Sequence, residues 1–138
     1  MTRINLVDPK ELSDQHLIAE YREIFMVGSA LQRSMRSSGW ETTKRNLPKE
    51  FTLNKGHVKF FYNKGEYLHK RYLSLIDEMK KRGINQNSQR KFKTAQWPKE
   101  LYKDWSPNKK DLELIRERIN EKIKQKPNWY RWSNQSKV

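Results

Sequence analysis

The sequence contains no cysteine and few histidines or glycines, and each shortage excludes a class of chemistry. Without cysteine, the 138-residue chain can form no disulfide, thiolate nucleophile, zinc finger or iron–sulfur cluster. Its three histidines, His16, His57 and His69, are scattered and lack the spacing of a zinc protease or a two-metal site. The five glycines are isolated, so the chain has no glycine-rich phosphate loop. We therefore expect no protein-held metal, no other cofactor and no ATP chemistry.

Long apolar runs are also missing from the sequence. No stretch approaches the roughly 18 apolar residues of a membrane-spanning helix. The beginning of the chain carries Asp8 and Glu11 and has no apolar core of a signal peptide. These absences predict a cytoplasmic protein without a membrane partner.

Positive charge is abundant, with 30 lysines and arginines against 16 acidic residues, a net charge of +14 and a pI near 10.0. This balance is typical of proteins that bind polyanions. An apolar share of 34% would suggest disorder, but aromatic residues make up 12% and include five Trp and six Tyr, which can anchor a core. We expect one folded, monomeric domain over residues 1–138 that buries roughly two thirds of its unfolded surface.

The clearest helical pattern follows a capped turn at Asp8-Pro9-Lys10-Glu11 and begins near Ser13 or Asp14. Apolar or small residues recur there in alternating steps of four and three, which predicts one buried stripe: Leu17, Tyr21, Ile24, Gly28, Leu31 and Met35. The sequence Ser37-Ser38-Gly39 ends the helix. His16 and Glu23 share one flank of this stripe, open to solvent or a ligand, and Arg22 lies on the other.

Two further helices are predicted. One runs from about Lys64 to Arg82, is capped at Gly83 and has the core positions Leu68, Tyr72, Leu75, Ile76 and Met79. The other begins around Asn108, stops before Pro127 and has the stripe Leu112, Ile115, Ile119 and Ile123. Residues 40–62 are predicted to be mostly loop and residues 84–105 a polar surface connection. The fold class is therefore all-α, with three main helices joined by long loops.

Arg118 and Lys122 share a face of the last helix, one turn apart. That spacing suits contacts to neighbouring phosphates, although a solvated basic face explains it equally well. The segment Trp129-Tyr130-Arg131-Trp132 follows directly. Its aromatic rings either form a stacking platform for exposed bases or pin the C-terminus to the core, and composition favours neither alternative.

Thr2 is a candidate nucleophile. Initiator methionine is normally removed before so small a residue, which leaves a free α-amine on Thr2. The pKa of such an amine, about 7.7 to 8, gives a usable neutral fraction near pH 7, whereas a lysine amine is almost wholly protonated. Every protein has an N-terminus, so this feature carries weight only together with others.

An ordered set of motifs over nearly the whole chain resembles the phage-type pyrimidine-dimer DNA glycosylases that also have abasic-site lyase activity. The motifs are Thr2-Arg3-Ile4-Asn5-Leu6, Asp14-Gln15-His16-Leu17, Ala19-Glu20-Tyr21-Arg22-Glu23, Gly56-His57-Val58, Phe60-Phe61-Tyr62, Lys70-Arg71, Lys81-Arg82-Gly83, Arg118, Glu121-Lys122-Ile123, Pro127 and Trp129-Tyr130.

The resemblance implies a compact bundle of three helices joined by long loops, and a mechanism. The Thr2 amine would attack C1′ of a deoxyribose to form an imine. Glu23 would stabilise the oxocarbenium-like sugar and then assist removal of the C2′ proton, so that β-elimination cuts the strand. The partner would be double-stranded DNA containing damaged bases or abasic sites, kinked with an adenine extruded. The predicted DNA-binding residues are Arg3, His16, Arg22, Arg118, Lys122, Trp129, Tyr130 and Arg131.

The sequence departs from the family at Phe25-Met26, where members commonly carry Pro-Arg. That arginine contributes to the lesion site, so the departure bears on which base is removed rather than on imine chemistry. Two alternatives stay open: an abasic-site lyase of altered lesion specificity, and a non-catalytic basic nucleic-acid-binding protein in which Thr2 is only a terminus and Glu23 a surface acid.

Overall fold

The computed structural model describes residues 3–85 and 91–134, and all regular structure in these ranges is helical. The prediction of an all-α fold is confirmed. The helices are α1 (Asp14–Arg36), α2 (Trp40–Arg45), α3 (His57–Phe60), α4 (Gly65–Lys81) and α5 (Lys109–Gln125). Short 3₁₀ turns occupy Pro9–Glu11, Phe61–Asn63, Thr94–Gln96 and Lys99–Leu101.

Helix α1 has the predicted start because Ser13 caps it. The Ser13 hydroxyl oxygen accepts a hydrogen bond from the backbone N–H of His16, which satisfies one of the free donors of the first turn. The predicted stripe faces the core: its first five members are buried and Met35 is partly buried against the core.

Helix α4 lies against α1, and the two form the centre of the molecule. It runs between the predicted ends, with Lys64 before it and Arg82 after it. Gly83 follows in the left-handed conformation (φ +73°), which glycine adopts without steric cost. Apolar side chains close the core from several directions, namely Ile4, Leu6, Val7 and Leu12 near the N-terminus and Phe51, Phe60 and Phe61 from the middle of the chain.

Helix α5 begins with a capping box. The Asn108 side chain accepts from the backbone N–H of Asp111, and the Asp111 carboxylate accepts from the backbone N–H of Asn108. Of its apolar stripe, Ile115 is fully buried and Leu112, Ile119 and Ile123 are half-buried. Helix α5 therefore lies at the edge of the core, which leaves its basic residues close to solvent.

The prediction of a mostly irregular segment over residues 40–62 is wrong in part, because it contains α2 and α3. Trp40 begins α2 and its ring lies 6.4 Å from that of Tyr62. Helix α3 buries His57 and Phe60 among aromatic rings. Helices of six and four residues are shorter than two turns, so their apolar residues show no period that a sequence can reveal.

The connection after α4 is also more than a polar surface segment. Within its described part, Trp97 and Leu101 are buried. The Trp97 ring covers the start of α4 at Gly65, where an added Cβ would lie 2.8 Å from the ring. A glycine at that position therefore lets the indole reach the helix backbone. Among the described residues, no helix is long and apolar enough to cross a bilayer.

Candidate active site

A cavity of about 280 Å³ opens between the N-terminus, α1, α5 and the C-terminal residues. It brings together six of the predicted site residues, which lie far apart in the sequence: Arg3, His16, Glu23, Arg118, Lys122 and Tyr130. The remaining lining residues are Asn5, Ala19, Glu20 and Ile119. The cavity thus combines two carboxylates with three cationic side chains and a pair of rings.

The N-terminal segment, residues 3–7, is fastened to the core by side chains. Three successive backbone N–H groups each donate a hydrogen bond to a different side-chain acceptor. The N–H of Arg3 donates to Oε2 of Glu23 (3.2 Å), that of Ile4 to Nε2 of His57 (2.9 Å) and that of Asn5 to Oε1 of Glu20 (3.2 Å). The Glu23 carboxylate therefore contacts the peptide bond that joins residues 2 and 3.

A buried ion pair between Arg71 and Glu20 also holds this N-terminal segment. Arg71 of α4 donates to both carboxylate oxygens of Glu20, at 2.7 and 3.0 Å, and to the carbonyl oxygen of Val7 at 2.5 Å. Burial lowers the pKa of Arg71, but the adjacent Glu20 carboxylate outweighs this effect and raises it. Because both groups are buried, each needs the other as its charged partner.

The sequence analysis did not identify Glu20 and Arg71 as supports of the site. A signal was present, because Leu17, Glu20 and Ile24 follow the same three- and four-residue steps as the buried stripe. A carboxylate at a buried helical position needs a buried cation. Which cation it contacts depends on how α4 packs against α1, and the spacing of residues within one helix does not reveal that packing.

His16 forms one wall of the cavity together with Tyr130. The two rings stack with centroids 4.8 Å apart and planes 9° from parallel. His16 Nδ1 also lies 2.8 Å from the Ser13 hydroxyl oxygen. Burial and the positive charge of Lys122 lower the pKa of His16, although Glu20 opposes them. His16 is therefore mainly neutral near pH 7.

Arg3, Arg118 and Lys122 form a cationic wall of the cavity. Burial and the nearby Arg118 lower the pKa of Arg3, against the influence of Glu23. The Nε of Arg118 is buried and has no hydrogen-bond partner among the described residues. Another nitrogen of its guanidinium, Nη1, lies 3.8 Å from the Glu121 carboxylate. Clustered cationic side chains favour an anion such as a phosphate.

A model of the pyrimidine dimer DNA glycosylase family matches residues 1–92, which is more than half of the chain. The chain belongs to this family. Membership supports pyrimidine dimer DNA glycosylase function and the binding of damaged DNA. The matched range contains Glu20, Glu23, His57 and Arg71. The lining residues of α5 and the C-terminal segment, Arg118, Ile119, Lys122 and Tyr130, lie beyond it.

Among the described residues, three predicted site residues of this family member are not part of the cavity lining: Arg22, Trp129 and Arg131. Arg22 is exposed on α1. Trp129 is 53% exposed, and Arg131 is exposed as well. Thr2, the predicted nucleophile, lies outside the described residues. The roles of all these residues stay predictions.

The C-terminal segment, residues 129–134, is fastened to the start of α1. The Gln15 side chain donates to the Trp129 carbonyl oxygen (2.7 Å) and accepts from the Arg131 N–H (3.0 Å). The backbone N–H of Asp14 donates to the Arg131 carbonyl oxygen (2.6 Å), and the Trp132 indole donates to the Glu11 carbonyl oxygen (3.1 Å). Both alternatives for this segment therefore retain support: its backbone is pinned, whereas the ring of Trp129 stays exposed.

At the departure from the family pattern, Phe25 and Met26 have different environments. Phe25 is half-buried, and its ring packs edge-on against Tyr21 and Tyr72. Met26 is 51% exposed. The methionine thus presents an apolar surface to solvent on the same exposed side of α1 as Arg22.

Proposed function

We propose that the protein excises cyclobutane pyrimidine dimers from double-stranded DNA through an imine on its N-terminal amine, and then cleaves the strand by β-elimination. Thr2, freed by loss of Met1, is the nucleophile and Glu23 the carboxylate. The observation that carries the proposal is the 3.2 Å hydrogen bond from the Arg3 N–H to Oε2 of Glu23. That nitrogen belongs to the peptide bond through which Thr2 is attached.

Covalent geometry extends this contact to the amine. Three bonds separate the α-amine of Thr2 from the Arg3 nitrogen, so the two nitrogens are within about 4 Å of each other in any conformation. With the hydrogen bond added, the amine cannot be more than about 7 Å from the Glu23 carboxylate. A deoxyribose bound beside them can therefore contact both groups.

The proposed reaction consists of displacement of the base, β-elimination and hydrolysis of the imine. The neutral amine attacks C1′, and the electron pair of the N-glycosidic bond leaves with the base, which takes up a proton. The C1′–O4′ bond then breaks as the sugar ring opens, and its electron pair stays on O4′, which takes up a proton. The amine releases its two protons, one for the base and one for O4′, and the imine joins its nitrogen to C1′. Glu23 stabilises the positive charge of the sugar and then accepts the C2′ proton, and the freed electron pair expels the 3′ phosphate. Water hydrolyses the imine and restores the amine.

The cationic wall supports a DNA substrate. Arg3, Arg118 and Lys122 line the cavity and offer charge-assisted hydrogen bonds to the backbone phosphates beside the reacting sugar. Arg22, Trp129 and Arg131 extend the contact outside it, with His16 and Tyr130 as its ring wall. The reaction needs no cofactor, and a monomer of one domain suffices for it.

The Glu23 carboxylate supports a catalytic function rather than that of a non-catalytic nucleic-acid-binding protein. A surface evolved only to bind phosphates gains nothing from Glu23 among the cations, because a carboxylate repels phosphates and weakens binding. The same carboxylate is useful once a sugar develops positive charge. An abasic-site lyase of altered lesion specificity remains the second candidate, because the exposed Met26 replaces a family arginine.

Borohydride capture tests the proposal. Ultraviolet-irradiated, abasic and undamaged duplexes are each incubated with protein and borohydride, which reduces an imine to a stable amine. We expect covalent capture on the first two duplexes and none on the third. Acetylating the N-terminus should abolish capture. A protein that binds all three duplexes without capture would be a non-catalytic binder, and capture on the abasic duplex alone would identify the lyase of altered specificity.

A further inference from the structure

His57 is a buried titratable residue for which the proposed reaction has no use. It begins α3, is 2% exposed and lies between the rings of Phe51 and Phe61, with centroids 5.4 and 5.3 Å away. Its Nδ1 is 2.8 Å from the carbonyl oxygen of Thr52, and its Nε2 is 2.9 Å from the backbone nitrogen of Ile4. It is not one of the residues that line the cavity.

These two hydrogen bonds determine the tautomer of the ring. The carbonyl oxygen of Thr52 can only accept, so Nδ1 must carry the hydrogen. The N–H of Ile4 can only donate, so Nε2 must present its lone pair. A neutral imidazole satisfies both partners. A protonated ring would direct a second N–H against the N–H of Ile4 and break that contact.

The surroundings favour the neutral ring. Burial lowers the pKa of His57, the contact with Thr52 raises it, Arg3 from the N-terminal segment lowers it and Glu20 from α1 raises it. The net result is a pKa below the ordinary value of about 6.5. Near pH 7 the ring is therefore neutral and accepts from Ile4.

We propose that His57 is a positioning residue, which holds the Ile4 amide through Nε2 and thereby fixes the N-terminal amine relative to Glu23. This inference rests on the proposed function. His57 supplies the middle of the three successive anchors on residues 3 to 5, and it comes from α3, whereas Glu20 and Glu23 both come from α1. Without it the backbone N–H groups of residues 3 to 5 are held from α1 alone, because Arg71 of α4 contacts the segment only at Val7. A misplacement of about 1 Å at a reacting atom is enough to slow a reaction about 100-fold.

Three variants separate positioning from general stability. His57→Leu removes the acceptor. His57→Gln replaces it with an amide oxygen of similar reach that does not titrate near neutral pH. Leu75→Val is the matched control, a buried core change on α4 whose side chain offers no hydrogen bond to the segment. Each is compared with the parent at a temperature at which all four proteins are folded.

The first measurement is the single-turnover rate of borohydride capture on an abasic duplex, alongside the Kd for a duplex with an unreactive tetrahydrofuran at the same position. For His57→Leu we expect capture at least about tenfold slower and a Kd within about threefold of the parent value. His57→Gln should keep at least about a third of the parent rate, and Leu75→Val should match the parent.

The second measurement is the pH profile of capture from about pH 7.5 down to about pH 4.5, at every pH at which both proteins are folded. The range extends well below the ordinary pKa of histidine because burial lowers the pKa of His57. In the parent, both the amine and His57 gain protons as the pH falls. In His57→Gln only the amine and groups shared with the parent titrate, so its rate should fall less steeply. A purely structural role of His57 would leave the two profiles parallel.

The outcomes are distinct. If His57→Leu and Leu75→Val slow capture equally, or if the parent and His57→Gln profiles coincide, His57 does not position the amine. If His57→Leu does not fold, the profile of His57→Gln decides alone. If the parent is never captured, the proposed function fails, and amide hydrogen exchange at Ile4 decides whether His57 holds the segment. Faster exchange in His57→Leu but not in Leu75→Val supports that hold, and unchanged exchange overturns it.

Discussion

The two ends of the described chain meet at one cavity but are held there by different means. The N-terminal segment is anchored by buried side chains of α1, α3 and α4, including the ion pair between Glu20 and Arg71. The C-terminal segment is anchored mostly by exposed hydrogen bonds to the start of α1, at Asp14 and Gln15. Water can replace the exposed anchors at little cost, but it cannot replace the buried ones.

The difference fits the roles that we propose for the two ends. A nucleophile must be kept in place within fractions of an ångström, so rigid anchoring of its segment by buried side chains is useful. A wall that contacts DNA gains from being able to adjust, so an exposed hold suffices. The contrast also has a consequence for mutations: changes at the N-terminal anchors should alter chemistry or stability, whereas changes at the C-terminal anchors should alter affinity.

The largest effect is expected for Glu23→Gln. The amide keeps an oxygen that can accept from the Arg3 N–H, so the N-terminal anchor survives, but the negative charge is lost. General acid or base groups contribute about 10² to 10⁴ in rate, and we expect a loss in that range in single-turnover incision of dimer-containing DNA. The Kd for DNA should stay close to that of the parent or fall slightly, because a carboxylate that repels phosphates is removed.

Glu117→Gln is the matched control, because Glu117 is an exposed acid on α5 outside the cavity lining. It makes the same change in net charge and should leave incision unaltered. A loss of less than tenfold for Glu23→Gln would contradict the assignment of the carboxylate. Glu20 would then be the next candidate, since it also lines the cavity.

The next largest effect concerns the buried ion pair. Arg71→Met leaves the Glu20 carboxylate buried without its partner, which typically costs about 3 to 5 kcal/mol in the free energy of unfolding. Urea denaturation measures this loss. The neighbouring Lys70→Met is the control, because Lys70 pairs with Asp104 at 2.7 Å on the exposed side of the same helix. Equal losses for the two variants would mean that the buried anchor is no stronger than a surface ion pair.

Acid should lower the free energy of unfolding through two histidines, His16 beside the C-terminal segment and His57 beside the N-terminal segment. His16 and His57 have folded-state pKa values below the ordinary one, chiefly because of burial. The unfolded chain therefore binds protons more readily than the folded one below about pH 6.5, and the free energy of unfolding should fall as the pH drops through that value. Above it, the contribution of these two neutral rings is fully present.

Histidine substitutions assign this acid sensitivity to one end or the other. His57→Gln and His16→Gln should each flatten the dependence of unfolding free energy on pH, measured by urea denaturation between about pH 7.5 and 5. His69→Gln is the control, because His69 lies outside both segments, where its Nδ1 is 2.9 Å from the Tyr102 hydroxyl oxygen. Flattening in the control alone would place the sensitivity away from the cavity.

The same contrast explains which parts of the molecule could be predicted from the sequence. Helix α1 has 23 residues, enough turns for its buried stripe to be visible, and its cap at Ser13 is local. The anchors of the N-terminal segment are not local: Ile4 and His57 are 53 residues apart, and Glu20 and Arg71 are 51 apart. Such contacts follow from how helices pack, so composition and spacing could not reveal them.

Most of the cavity lining was identified through the family resemblance rather than by periodicity. The periodicity of α1 placed His16 and Glu23 on one flank of the helix but could not show that residues of α5 line the same cavity. The indole of Trp97 illustrates the same limit in the fold, because its burial depends on Gly65 more than 30 positions earlier. The local sequence pattern thus determines the long helices, and the packing of the helices determines which side chains contact one another between them.

The smallest effect should come from the C-terminal anchors, and Gln15→Ala tests it. This change removes the hydrogen bonds to the Trp129 carbonyl oxygen and the Arg131 N–H, but water can reach both groups. The free energy of unfolding should therefore fall by no more than about 1 kcal/mol.

Tyr130 lies between these two anchored residues and stacks on His16, so in Gln15→Ala its ring is held less firmly in the cavity wall. We expect the Kd for a tetrahydrofuran duplex to rise about two- to fivefold, equivalent to about 0.4 to 1 kcal/mol, while the capture rate at saturation stays unchanged. Gln125→Ala, an exposed glutamine at the end of α5, is the control. A fall in the saturated rate with an unchanged Kd would mean that the C-terminal segment serves the chemistry, and the distinction between the two ends would fail.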